Sequence, residues 1–255
     1  MEKTKKRGYR GGLTVPFVVA NTLLLQIPVA RADPAAKVHL PTVVQGELEF
    51  ELHGGQQWWR DGEDSRERQF VGEIEYGVTP WWKTGLGVGT TRVPGQSYKL
   101  DEIEWENTFA LTEPGRYWLD LGLFAEFAYD HPEHRNAIAL GPMFQKEIDA
   151  FQGNLNVLFE RELGSSAEPG AAINYEWQVK WRGNPRFEPG LQGLGTLGRT
   201  NDFGHLTQSN IGPAFFGQIY TGARSKLKYD AAVLFGLNRN TPDTTVRFQI
   251  EYELY

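Results

Sequence analysis

Hydrophobic side chains recur at every second position over most of this chain. Leu48, Phe50 and Leu52 alternate with Glu47, Glu49 and Glu51. Phe70, Ile74 and Tyr76 alternate with Gln69, Glu73 and Glu75, and Ile103, Trp105, Phe109 and Leu111 with Glu102, Glu104, Glu106 and Thr108. Tyr117, Leu119, Leu121, Leu123, Ala125, Phe127 and Tyr129 hold one phase throughout. The sets Ile173–Trp181, Leu227–Leu237 and Val246–Leu254 do the same. A period of two places each set on one face of a strand, whereas a helix would scatter it.

The pattern predicts twelve strands, with ten as the smaller possible count. They fall near 44–53, 67–78, 82–92, 101–111, 116–129, 136–145, 153–163, 171–182, 186–192, 211–221, 224–237 and 244–255. Many reach the length of a bilayer-crossing strand, about 9–11 residues, rather than the globular norm of about 5–6. The connections support that reading. Short turns at Thr79-Pro80-Trp81, Thr112–Gly115, Gly183–Pro185 and Gly222-Ala223 alternate with longer loops at His53–Arg66, Val93–Leu100, Gly164–Gly170 and Gly193–Asn210. Tyr76, Trp81, Trp82, Tyr117, Trp118, Trp181, Phe187, Tyr220, Tyr252 and Tyr255 gather at the short-turn end, as an interfacial girdle does. The fold class expected is all-β: a closed antiparallel transmembrane barrel with short periplasmic turns and longer extracellular loops.

The N-terminus carries a different pattern. Basic residues fill positions 1–10, a largely apolar stretch runs from Leu13 to Val29, and Ala30-Arg31-Ala32 ends it. This is the layout of a secretory signal cleaved after Ala32. Pro16, Asn21, Thr22, Gln26 and Pro28 keep the stretch short of a clean spanning helix. The expected organisation is a signal peptide at 1–32, a short periplasmic segment at 33–43 and a barrel at 44–255.

Charge narrows the function. The chain has 255 residues, 26 Lys+Arg, 32 Asp+Glu and no Cys. Removing residues 1–32, which hold six bases and one acid, leaves 20 bases against 31 acids, a net charge of −11. A nucleic-acid partner needs a basic face, so none is expected. The lack of Cys excludes a disulfide scaffold, a thiolate metal site, a Cys nucleophile and a lipid-anchored Cys.

The leader, the stretch Gly46–Leu52, the Tyr76-Gly77-Val78-Thr79-Pro80 turn and a last strand ending in Tyr255 together resemble a Gram-negative outer-membrane β-barrel. Within that class the chain is loosely similar to porin-like proteins of the phenol-degradation meta-pathway type. The resemblance implies outer-membrane lipids and lipopolysaccharide as surroundings. It also implies recognition of the last strand by the barrel-assembly machinery. Tyr255 is out of phase with Phe248, Ile250, Tyr252 and Leu254, a departure from the usual terminal pattern.

If the apolar sets face lipid, the alternate positions face a lumen. The expected acidic lining is Glu47, Glu49, Glu51, Glu73, Glu75, Glu102, Glu104, Glu106, Asp120 and Glu126, continued by Glu160, Glu162, Glu176, Glu188, Asp230, Glu251 and Glu253. The basic lining is Lys83, Lys180, Arg182, Arg186, Lys226, Lys228 and Arg247. Unpaired charge in a dry interior is costly, so this lumen is wet, extensively paired, or both. Two states stay open: a passage for small polar or cationic solutes, or a narrow barrel plugged by its own Glu–Lys/Arg networks.

Catalytic patterns are sparse. His205 with Ser209 and Asn210 is the nearest approach to a lipid-hydrolase pair. Four residues of extended chain separate side chains by about 13 Å, far beyond the hydrogen-bond reach a general base needs. Asp130-His131-Pro132-Glu133-His134 offers metal-ligating types in a loop context. Gly85, Gly87 and Gly89 read as close packing or lumen space, and Gly190–Gly195 as the start of a flexible loop. The expectation is a non-enzymatic channel with no cofactor and no metal. A lipid hydrolase and a closed structural or surface-binding barrel are the alternatives.

Overall fold

The computed structural model describes residues 34–60, 66–130, 136–165 and 167–255. The leader, the loop tip at 61–65 and the His131/His134 cluster lie outside the described residues.

Twelve strands form: β1 (Leu48–Trp58), β2 (Arg66–Thr79), β3 (Trp82–Arg92), β4 (Lys99–Ala110), β5 (Asp120–Asp130), β6 (Asn136–Ile148), β7 (Phe151–Leu163), β8 (Ala172–Trp181), β9 (Glu188–Arg199), β10 (Asp202–Gly222), β11 (Ser225–Gly236) and β12 (Thr244–Leu254). Each pairs antiparallel with its neighbours in sequence, and β1 closes on β12 from Leu48↔Leu254 to Trp58↔Thr244. A closed cylinder leaves no strand edge unpaired.

The two faces are inverted relative to a water-soluble protein. Phe50, Leu52, Ile74, Val88, Trp105, Leu140, Phe159, Leu191, Phe215 and Ile250 are exposed on the outer wall, while Glu49, Glu51, Glu73, Glu75, Gln192, Asn210 and Arg247 are buried. The period of two therefore divides the chain as expected, with apolar residues outward and polar residues inward.

Some boundaries differ, each for a local reason. β1 starts at Leu48 rather than 44 because Gly46, in the left-handed region at φ 81°, turns the chain. Gly46 donates its N–H to Gly77 O there. β5 starts at Asp120 rather than 116 because Gly115, at φ 70°, closes a turn and donates its N–H to the Asp120 carboxylate. The largest difference is at β9 and β10. The expected long loop at 193–210 is instead a hairpin, and Arg199 pairs with Asp202 at its tip. Gly193 and Gly195 in it are strand positions beneath aromatic rings. A Cβ on Gly193 would lie 2.4 Å from the Trp177 ring on the facing strand, and one on Gly195 would lie 2.6 Å from the Tyr175 hydroxyl.

The aromatic end is present. Trp81, Tyr117, Trp118, Phe187 and Tyr220 are exposed around the rim formed by the β2–β3, β4–β5, β8–β9 and β10–β11 turns. Thr79 Oγ1 accepts the N–H groups of Trp81 and Trp82, which fixes the first of these turns.

Candidate functional site

The interior is lined as the alternation requires. Of the expected acidic positions, Glu47, Glu49, Glu51, Glu73, Glu75, Glu104, Glu106, Asp120, Glu176, Glu188 and Glu253 are buried against the inner wall. Glu102, Glu126, Glu160 and Glu162 line a cavity within it. The glycine stripe on β3 makes room for these acids. A Cβ on Gly85 would meet Glu75, one on Gly87 would meet Glu104, and one on Gly89 would meet Glu102, each below 3 Å.

The bases pair with acids toward the short-turn end. Lys83 Nζ lies 3.0 Å from Glu49 and 2.7 Å from Glu75. Lys228 lies 3.0 Å from Glu251 and also contacts Glu253, which Lys226 reaches at 2.5 Å. Lys180 lies 3.1 Å from Glu188. Arg247, 1% exposed, sits 3.5 Å from Asp230 and donates to Gln192 and Gln249 at 3.0 and 3.1 Å. One expected lining base lies elsewhere: Arg186 falls in the β8–β9 turn and is exposed, because β9 begins only at Glu188. Arg182, just past the end of β8, borders the interior at the rim, pairing with Glu147 and lying 3.6 Å from Glu188.

A belt of amides crosses the other side of the lumen. Gln152 and Asn154 donate to Gln145, Gln178 donates to Asn154, and Gln192 donates to Gln178. Arg247, Gln249 and Glu251 extend the chain of bonds across β12. The inner wall is thus carboxylate-rich on β1, β2, β4, β5 and β7, and amide-rich from β6 to β9.

The residues that fill the middle of the lumen are ones the sequence reading placed outside the barrel. Segment 33–43 is expected to be periplasmic, yet Pro34–Thr42 lies within the cylinder. Lys37 Nζ stands among Glu51 (3.1 Å), Glu73 (2.5 Å) and Glu106 (3.3 Å), carboxylates from three different strands. His53 donates Nδ1–H to Ala35 O at 2.7 Å and pairs with Glu73 through Nε2 at 2.9 Å. The His39 ring lies 3.8 Å from that of Phe124, and its backbone is bracketed by the Asn156 side-chain amide at 2.9 and 3.0 Å. Val38 packs against Leu194, Ala214, Phe216, Ala232 and Leu234. The apolar effect explains the placement: two inward apolar patches, this one and Phe124/Ala139/Met143/Leu158, would otherwise face water. Those patches break the polar phase of β5–β7 and β9–β11, and they are the one sequence signal that points to a lumenal occupant, a signal the sequence reading passed over.

The segment divides the interior. On the loop side is a cavity of about 390 Å³, lined by Glu67, Glu102, Glu104, Glu106, Glu126, Glu160, Glu162 and Glu176. Its basic lining residues are Lys37, His39 and His53. On the short-turn side are cavities of about 150 and 320 Å³, which share Val38, Leu40 and Thr42 as a wall. Tyr255 borders the smaller one and donates its hydroxyl to Glu253, which accounts for its inward phase. Ligand atoms of Glu51, His53 and Glu73 lie within 4.8 Å of one another, as do those of Glu73, Glu75 and Glu106. Lys37 brings its ammonium to both clusters.

The candidate hydrolase pair is not brought together. His205 Nδ1 lies 3.2 Å from Asp202 on the exposed hairpin, and Ser209 Oγ accepts a hydrogen bond from Tyr175 at 2.7 Å.

No family model and no curated protein matches this sequence. Solved structures do match it. An outer membrane channel from Pseudomonas putida F1 aligns with a TM-score of 0.58 at 13% identity, covering 88% of this chain and 99% of that one. The likeness is one of fold. The NanC porin aligns at 0.53 with 10% identity, over 81% of this chain and 99% of its own. The KdgM porin aligns at 0.51 with 7% identity, over 81% and 98%.

Proposed function

We propose that this protein is a porin-like channel of the bacterial outer membrane that admits small polar or cationic solutes. The observation that carries the reading is the acid-lined cavity of about 390 Å³ inside a cylinder whose outer wall is apolar. An apolar exterior of this extent has no stable place in water, and a closed barrel is the sheet architecture that satisfies its backbone inside a bilayer. Carboxylates lining a wet lumen raise the local concentration of cations and lower that of anions. Barrels of the same fold include proteins described as an outer membrane channel and as porins, which is consistent with this reading. The finer likeness to porin-like proteins of the phenol-degradation meta-pathway type rests on the sequence alone and belongs to the same proposal. So do export by cleavage after Ala32, contact with lipopolysaccharide, and recognition of the last strand during assembly.

The test is single-channel recording of the purified protein in planar bilayers under a KCl gradient. Discrete steps with a reversal potential on the cation side are expected. Silence from both the full barrel and a variant lacking residues 34–42 would refute the channel, and an anion-side potential would refute the role given to the acids.

A further inference from the structure

The channel reading leaves Pro34–Thr42 lying across the route a solute would take. We infer that this segment is a displaceable plug, latched by Lys37, whose ammonium occupies the place of a cationic solute among Glu51, Glu73 and Glu106. The inference rests on the channel reading for its meaning, but its structural content can be tested separately.

Four observations carry it. First, the segment belongs to no strand pairing among the described residues, and the barrel closes β1 to β12 without it. Its backbone is held by side chains, Asn156 on His39 and His53 on Ala35. Leaving the wall therefore breaks no ladder hydrogen bond, and such local openings cost less than global unfolding. Second, Lys37 and His39 border both the outer cavity and one inner cavity, so the segment is the partition between them. Third, the wall is shaped to receive it. Gly55 and Gly122 face the lumen where a Cβ would lie 2.1 Å from Pro34 O and 2.7 Å from Pro41 Cβ. Fourth, the ammonium is an anchor to three carboxylates at once. It neutralises part of a carboxylate group contributed by β1, β2 and β4, and a free primary ammonium group on a solute offers the same three donors to the same oxygens. Binding of such a solute at the latch competes directly with the plug.

The lack of native Cys allows a clean lock. A Pro41→Cys, Gly122→Cys double variant joins plug to wall through the one disulfide the chain then permits. The Cβ positions need only a small shift toward the usual separation of about 3.8 Å. In bilayers the reduced form should show conductance steps and the oxidised form at least tenfold fewer, with recovery on adding a dithiol reductant. Equal conductance in both redox states would overturn the plug while leaving the channel standing.

A second measurement is independent of conduction. Val38→Cys is placed in the wild-type background and beside Lys37→Gln, and reaction with a membrane-impermeant maleimide is timed on folded, detergent-solubilised protein. Folding is verified by the heat-dependent gel shift of an intact barrel. Removing the latch should accelerate labelling at least tenfold. Equal rates would overturn the latch even if no variant conducts, an outcome that by itself would refute only the channel.

Discussion

Placing a charge on the outer wall gives the sharpest test of the inverted architecture. Leu86 on β3 is 63% exposed and faces away from the acids of Glu75 and Glu104. It stands between Ile74 on β2 and Trp105 on β4, both also exposed. Leu86 lies four residues along the strand from Trp82, which marks the aromatic rim. At about 3.3 Å per residue and a tilt of about 40°, that raises it about 10 Å above the rim. In an apolar band about 25 Å tall, this is close to the midplane. Leu86→Arg should therefore cost about 2–4 kcal/mol, whereas the same change at Trp118 on the rim should cost about 0–1 kcal/mol. On a water-facing wall both changes would fall within about ±0.5 kcal/mol. The assay is reversible urea unfolding in phospholipid vesicles, followed by the fluorescence of the native tryptophans. A Leu86→Arg variant as stable as the parent would refute the membrane-facing assignment of the exposed apolar positions.

Three further outcomes follow from other contacts. Glu104→Gln together with Glu126→Gln removes two carboxylates from the outer cavity and should move the reversal potential toward zero without loss of folding; an unchanged potential would show that these acids do not set selectivity. Arg247→Met removes the buried guanidinium beside the partly buried Asp230, together with its bonds to Gln192 and Gln249, and should cost about 1–3 kcal/mol in urea unfolding. Adding Asp230→Asn should recover about 1 kcal/mol or more, and strict additivity of the two changes would argue against the pair. Gly193→Val drives a side chain into the Trp177 ring and should destabilise the barrel by about 1–3 kcal/mol with a change in the emission spectrum; a neutral result would show that the ring does not need that glycine.

The wall of the barrel was legible because a period of two is a local property. Glu47–Leu52 and Ile173–Trp181 declare their two faces without reference to any other strand, and both appear in the structure as expected. The β9–β10 hairpin was not legible because glycine has two uses. Gly193 and Gly195 look like loop residues when read alone, and only their partners Trp177 and Tyr175 on β8 show that they clear space for rings. The plug was hidden for a different reason. Residues 34–42 alternate only over Lys37-Val38-His39-Leu40, too short a run to mark a strand, so their position depends on tertiary contacts. The clue lay on the wall, where Phe124, Met143, Leu158, Phe216 and Leu234 fall in a phase that otherwise holds polar side chains. Apolar residues pointing into a polar lumen imply something for them to touch.

The join between β1 and β12 ties together residues 186 to 206 positions apart, from Trp58 opposite Thr244 to Leu48 opposite Leu254. Contacts of such long range carry the largest loop-closure cost in the barrel. Lys37 touches strands made early, whereas Val38 touches β9 to β11, made late. The threaded residues therefore touch both flanks of the seam that closes the cylinder, one flank through a charge and the other through an apolar side chain.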